Sequence, residues 1–263
     1  MSKSKDKIIR YKSLFSTVVN WPSYLFRKMI GFKDNFEFVI RNFGSIKVKK
    51  NMMGPFRENF FDNIYFRHIP ESIYNHSNPV IIDIGGNVGF FSLATFSRLN
   101  TASIFAFEPH PYVFSVMEQY HQTYPQFQWS IFNQAVSNTE GTLTINTSTL
   151  EGFTTVASVF ENQNKKESFN AEMISLGKII KDQKLEQVDF IKIDCEGAEY
   201  SILYELGEEA FSKIKSMCIE THRGTDENQT IQALNNFILK CGYTTKVLDE
   251  RKYTGYIWAW RED

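Results

Sequence analysis

The stretch Val80–Ser92, Val-Ile-Ile-Asp-Ile-Gly-Gly-Asn-Val-Gly-Phe-Phe-Ser, constrains this chain more than any other. Val80 to Ile84 is apolar apart from Asp83, the pattern of a strand covered on both faces in a parallel sheet. Gly85, Gly86 and Gly89 follow, and they let the backbone turn tightly and let a ligand approach it closely. A helix beginning near Val88 would aim free N–H groups and the positive end of its dipole at that ligand. Strand, glycine turn and helix together predict a site for a nucleotide-type cofactor.

Glycine spacing narrows the choice. A nicotinamide or flavin fingerprint is Gly-x-Gly-x-x-Gly. Begun at Gly85, it would need glycines where Asn87 and Phe90 stand; begun at Gly86, where Val88 stands. No pyrophosphate cradle is visible. What remains is Asp83-x-Gly-Gly-Asn-x-Gly, with an acid on the strand itself. That suits a cofactor with a cationic amino-acid head and no phosphate, as in S-adenosylmethionine. The next apolar run, Ser103-Ile-Phe-Ala-Phe-Glu108-Pro109, ends in a carboxylate placed to accept both hydroxyls of a ribose.

From residue 80 onward strand and helix alternate. Helices are expected at Val88–Arg98, Tyr112–Tyr124, Leu176–Asp182 behind an N-capping Ser175, Ala198–Leu206, and Thr230–Lys240 closed by Gly242. Strands are expected at Val80–Ile84, Ser103–Glu108, Phe127–Val136, Gly141–Thr147, Val188–Asp194, Ser216–Glu220, Thr244–Leu248 and Tyr253–Trp260. This order predicts an α/β domain with a doubly wound, mostly parallel sheet ending in an antiparallel edge pair. Ligands should bind beyond the carboxyl ends of its strands, where Asp83, Glu108, Asp194 and Glu220 stand. Leu150–Asn170 is polar and long for a loop, a length typical of lids and binding loops.

The second unusual stretch is Phe-Ile-Lys192-Ile-Asp194-Cys-Glu196-Gly197-Ala-Glu199. Lysine inside a buried strand is rare. Lys192 and Asp194 lie two apart and share a face, so they either pair with each other or take part in chemistry. With Asp83-x-Gly-Gly-Asn-x-Gly, Phe107-Glu108-Pro109, Asn133-Gln-Ala-Val-Ser137 and Ile219-Glu220, this string resembles the FkbM-type family of S-adenosylmethionine-dependent methyltransferases, in order over roughly residues 36–260. The resemblance implies a class I, Rossmann-like domain with a seven-stranded sheet. It implies O-methylation, commonly of sugar hydroxyls in glycans, capsules or natural products. By position, Asp83, Gly85, Gly86, Asn87 and Gly89 would line the methionine and ribose parts of the cofactor. Glu108, followed by Pro109, would hold the ribose, Gln134 and Ala135 would border the adenine, and Asp194 would close the methionine end.

A sugar hydroxyl is a weak nucleophile until deprotonated, so a base or a metal is needed. Asp194, Glu196, Glu220 and His222 are the candidate bases. Lys192 either lowers the pKa of the acceptor hydroxyl or only neutralises Asp194. Oxygen ligands with one imidazole, Asp194, Glu220 and His222, would suit Mg²⁺ or Mn²⁺; otherwise Glu220 and His222 are solvated loop residues. Methylation of RNA or protein, or cofactor binding without turnover, are the competing readings. A net charge of -1 gives no signature of nucleic-acid binding.

That charge is uneven. Residues 1–33 carry eight Lys/Arg and one Asp, +7, leaving -8 on the rest. Tyr11, Leu14, Phe15 and Val18 fall at helical spacing, Pro22 breaks or restarts the helix, and Leu25, Phe26, Met29 and Ile30 follow beside Arg27 and Lys28. The segment 1–33 is either a helical pair packed on the domain or a basic amphipathic surface that docks on anionic membrane or a protein partner. Residues 34–76 form a separate piece, a hairpin at Phe36–Arg41 and Ser45–Lys49 followed by an aromatic-rich, partly helical cap, ahead of the methyltransferase domain at 77–263. Cys195, Cys218 and Cys241 have no metal spacing and suit reduced thiols in a cytoplasmic protein, at the membrane's inner face if the N-terminal segment docks there.

Overall fold

The computed structural model describes residues 3–31, 34–99, 101–147, 167–248 and 254–262. In chain order its helices are α1 (Lys3–Thr17), α2 (Trp21–Ile30), α3 (Met53–Arg57), α4 (Glu71–Asn75), α5 (Phe90–Phe96), α6 (Pro111–Thr123), α7 (Leu176–Asp182), α8 (Glu199–Tyr204), α9 (Glu208–Lys213) and α10 (Ile231–Lys240). Its strands are β1 (Phe36–Ile40), β2 (Gly44–Val48), β3 (Val80–Ile84), β4 (Ser103–Phe107), β5 (Gln128–Phe132), β6 (Gln134–Ser137), β7 (Gly141–Thr147), β8 (Glu167–Ser175), β9 (Phe190–Ile193), β10 (Ser216–His222), β11 (Thr244–Leu248) and β12 (Thr254–Trp260). They form two units, Met1–Arg67 with Phe90–Asn100, and His68–Gly89 with Thr101–Asp263.

The first unit is built on aromatic rings. Phe38 of the β1–β2 hairpin stacks on Phe56 at 4.2 Å between centroids, and Phe56 stacks on Phe60 at 4.5 Å. Leu14, Val18 and Tyr24 bury their side chains in this unit, so α1 and α2 do pack. Asn20, at the corner between them, clamps the hairpin by accepting from the N–H of Val39 and donating to the carbonyl of Glu37. Tyr11 and Phe15, expected on the same buried face as Leu14 and Val18, stand exposed. Apolar spacing wider than one core contact is the reason: only the flank of α1 that meets the 58–63 segment, where Arg10 bonds Asp62 and Ser13 bonds Asn63, is covered.

In the second unit the seven-stranded sheet runs β11-β12-β10-β9-β3-β4-β5. β3 pairs in parallel with β4 on one side and β9 on the other, β4 with β5, and β9 with β10. β12 lies antiparallel between β10 and β11, which makes the expected antiparallel edge. This is the class I, Rossmann-like arrangement. The sheet reverses its winding between β3 and β9, so a crevice opens at their carboxyl ends. Ile82, Ile84, Ile191, Ile193 and Ile219 on these central strands lie in the main core. Ser175 caps α7 by accepting from the N–H of Lys178, and Thr230 caps α10 by accepting from that of Ala233.

Two expectations fail here. The strand expected at Phe127–Val136 is two strands in two sheets. It breaks at Asn133, whose side-chain amide turns away to donate to the carbonyls of Glu108 and Pro109, at 2.8 and 3.0 Å. The expected loop Leu150–Asn170 falls mostly outside the described residues, but its end, from residue 167, belongs to β8, which pairs with β6 in parallel and with β7 antiparallel. Phe169, Ala171 and Met173 alternate inward along β8 to meet Ala135 and Ile145; this period-two pattern lay at the end of a stretch whose polar character read as a loop. Among the described residues, no helix is long and apolar enough to cross a membrane.

Candidate active site

All of the site's residues belong to the second unit. The 85–89 turn uses its own donors. The N–H groups of Gly85 and Gly86 both reach the carbonyl of Phe107, at 3.0 and 2.8 Å. Asn87 N–H donates to Glu108 Oε2 at 2.9 Å, Val88 N–H to the Asn87 side chain at 2.8 Å, and Gly89 N–H to the carbonyl of Gly86 at 2.8 Å. The N–H groups of residues 85–89 are thus spent on β4 and Glu108 and within the turn itself. The glycines admit protein. Gly85 has φ +73°, and a Cβ there would lie 1.7 Å from the carbonyl oxygen of Asp194; at Gly89, with φ +86°, it would lie 2.6 Å from the Trp129 ring.

Glu108 stands just past the end of β4 and is buried. Its Oε2 takes the Asn87 N–H and its Oε1 the His110 N–H, at 2.9 and 2.8 Å. Each oxygen keeps a second lone pair, so a vicinal diol finds two acceptors side by side. Burial, the largest influence, lifts the pKa from 4.5 to about 7, against the pull of those two N–H groups and of Lys192. Pro109 follows, and Gln134 and Ala135 open β6 directly after Asn133, the residue that holds the Glu108 and Pro109 carbonyls.

At the centre of the sheet Lys192 is enclosed. Its ammonium lies 3.4 Å from Asp83 Oδ1 and 3.6 Å from Asp194 Oδ2, and donates to the carbonyls of Ile84 and Gly85 at 3.3 and 2.5 Å. Burial opposes its charge, but Asp83, Asp194 and Glu220 outweigh that and raise its pKa. Lys192 is a permanent cation between two carboxylates.

Beyond β9 the chain turns sharply through Glu196, which adopts a left-handed φ of +52°, and Gly197. Such a conformation is costly for a glutamate and places its carboxylate 3.6 Å from His222 Nε2. Glu199, fully buried in the first turn of α8, ties this turn to the end of β10. Its Oε2 accepts the Gly197 N–H at 2.8 Å, while its Oε1 accepts the His222 N–H at 2.6 Å and lies 3.4 Å from His222 Nδ1. Burial would lower the His222 pKa, but the hydrogen bond and charge of Glu199, then Asp194 and Glu196, raise it to about 10. Asp194, Glu220 and His222 each offer one ligand atom, all within 4.8 Å of one another. As an imidazolium, His222 would have to lose its proton to bind a cation.

The structure thus brings Asp83, Lys192, Asp194, Glu196, Glu220 and His222 to the carboxyl ends of β3, β9 and β10, and Glu108 to that of β4. Residues 83–245, more than half of the chain, match the methyltransferase FkbM domain. The chain belongs to this family. The FkbM methyltransferases use S-adenosylmethionine, and a turn without a phosphate cradle beside a diol-accepting carboxylate fits that cofactor. Methyltransferase sdnD of Sordaria araneosa is 26% identical over 208 residues, covering 68% of this chain and 78% of its own. The AMB antimetabolite synthetase AmbE of Pseudomonas aeruginosa is 23% identical over 237 residues, covering 76% of this chain, which spans only 11% of that protein. Among solved structures, M. capricolum TrmK in complex with S-adenosylhomocysteine aligns over 74% of this chain and 70% of its own, with TM-score 0.43 and 10% identity. Glu199 and Asn133 had no role assigned from the sequence. Glu199 sat in plain view in the acidic string, but its burial depends on where β10 ends, which no local pattern reveals.

Proposed function

We propose that this FkbM methyltransferase transfers the methyl group to a carbohydrate hydroxyl, on a nucleotide-activated sugar, a surface glycan or a related glycoside. The observation that carries the reading is the ring of carboxylates, Asp194, Glu196 and Glu220, around the crevice beyond β9 and β10. Carboxylates accept hydroxyl protons in pairs, which suits a polyol acceptor. Bound S-adenosylmethionine would supply an electrophilic methyl on a sulfonium. Glu108 would take the ribose hydroxyls, and Asp83 with the Gly85–Gly89 turn would line the methionine side, with Gln134 and Ala135 near the adenine. Asp194 would meet the acceptor hydroxyl and hold its proton as the oxygen attacks. Lys192 pairs with Asp194 at 3.6 Å, and His222 with Glu199 fixes the rim of the site. Alignment and exclusion of water would supply much of the acceleration.

Steady-state kinetics of Asp194→Asn test this reading. The expected result is a kcat lowered by about 10²-fold or more with the KM for S-adenosylmethionine little changed. A near-normal kcat at saturation in both substrates would contradict a direct role. Chelator decides how the proton is handled. Loss of turnover restored by Mg²⁺ or Mn²⁺ would assign Asp194, Glu220 and His222 to a metal; indifference would assign Asp194 as the base.

A further inference from the structure

The apolar side chains of α1 and α2 that the first unit leaves uncovered lie together. Of the ten large apolar side chains exposed among the described residues, seven fall between residues 8 and 30: Ile8, Tyr11, Phe15, Val19, Phe26, Met29 and Ile30. Ile8, Tyr11 and Phe15 succeed one another at spacings of three and four, a single stripe on α1, and Val19 follows just past its end. On α2, Phe26, Met29 and Ile30 share a face and are 59%, 78% and 60% exposed. Rings link α1 to the start of α2, Tyr11 to Phe15 at 6.0 Å and Phe15 to Trp21 at 4.7 Å. Lys28 of α2 lies 5.8 Å from the Tyr11 ring of α1. Exposed apolar side chains gathered in this way on two neighbouring helices mark a surface that meets something other than water.

Charge identifies what it meets. Residues 1–33 carry eight Lys/Arg against one Asp. A second copy docked on the same face would bring two such charges together. A nucleic acid would answer the charge but leave Phe26, Met29 and Ile30 in water. An anionic bilayer answers both, taking apolar side chains into its interface and Lys and Arg onto its headgroups. We propose that α1 and α2 dock this protein, in plane, on the surface of an anionic lipid membrane. Leu14, Val18 and Tyr24 hold the helices to the folded unit, and the exposed stripe that adjoins them is left to insert.

Flotation of the full chain with phosphatidylcholine vesicles, with and without phosphatidylglycerol, tests this. The protein should float with the anionic vesicles at low salt, bind neutral ones about tenfold less or weaker, and be released at 1 M salt, where the screening length falls to about 3 Å. Phe26→Asp with Met29→Asp should abolish flotation while the far-ultraviolet circular dichroism stays native. Should that variant misfold, Arg27→Gln with Lys28→Gln should weaken anionic binding about tenfold instead. Absence of flotation with anionic vesicles would overturn the proposal. So would binding unchanged by both variants, or a dimer in light scattering that Phe26→Asp with Met29→Asp dissociates.

Discussion

Lys192 holds two carboxylates in place from inside the sheet, and removing it leaves both without their cation. Lys192→Met should cost about 3–5 kcal/mol in urea denaturation, because the fully buried Asp83 would lose this cation. An unchanged midpoint would show that the pair is not a structural centre. Glu108 gives a pH dependence. Its folded pKa, about 7, lies above its ordinary 4.5. The stability it lends the ligand-free protein is therefore full below pH 4.5 and lost as pH rises through about 7. A cofactor that uses it as a carboxylate binds the ionised form, so the rise in melting temperature on adding S-adenosylhomocysteine should grow as pH climbs through 7. Glu108→Ala should weaken that binding by on the order of 1.5–3 kcal/mol and flatten the pH trend. Glu108 and Asp194 were legible as strand-end acids because the sequence places them directly after buried apolar runs. Their partners were not: the N–H groups that occupy Glu108 come from residues 87 and 110, and only the folded turns bring them there.

At the scale of elements, the 85–89 turn is where β3 and β9 close on each other. Gly85→Ala puts a Cβ 1.7 Å from a backbone oxygen at a positive φ, so the end of β9 must move. A loss of at least about 2 kcal/mol is expected, with weaker cofactor binding, whereas Gly177→Ala, on open space, should be close to neutral. Equal stability of the two variants would refute the close approach. The sequence reveals that a glycine is needed at 85, but not that the neighbour is Asp194 rather than a ligand. The central strands were readable because continuous apolar runs between helices admit few alternatives. β8 was not, since both its partners, β6 and β7, lie across the long connection that precedes it. On α1, periodicity located the helix correctly but could not say which part of a broad apolar face is covered.

For the whole molecule, the order of strands places the winding reversal at β3 and β9, and every acid named from the sequence falls at or near that crevice. The family assigns methyl transfer; the hydroxyl acceptor is our proposal, drawn from the carboxylates Asp194, Glu196 and Glu220. A methyl group moved to a sugar hydroxyl becomes an ether, stable to mild alkali, whereas a carboxylate acceptor gives a labile ester. The decisive measurement is label transfer from methyl-labelled S-adenosylmethionine to a panel of sugar nucleotides and glycans, with RNA and protein fractions alongside, followed by alkaline treatment. The account predicts alkali-stable label on a carbohydrate, lost in Asp194→Asn. Label on RNA or protein, alkali-labile label, or cofactor binding with no transfer to any carbohydrate would contradict it.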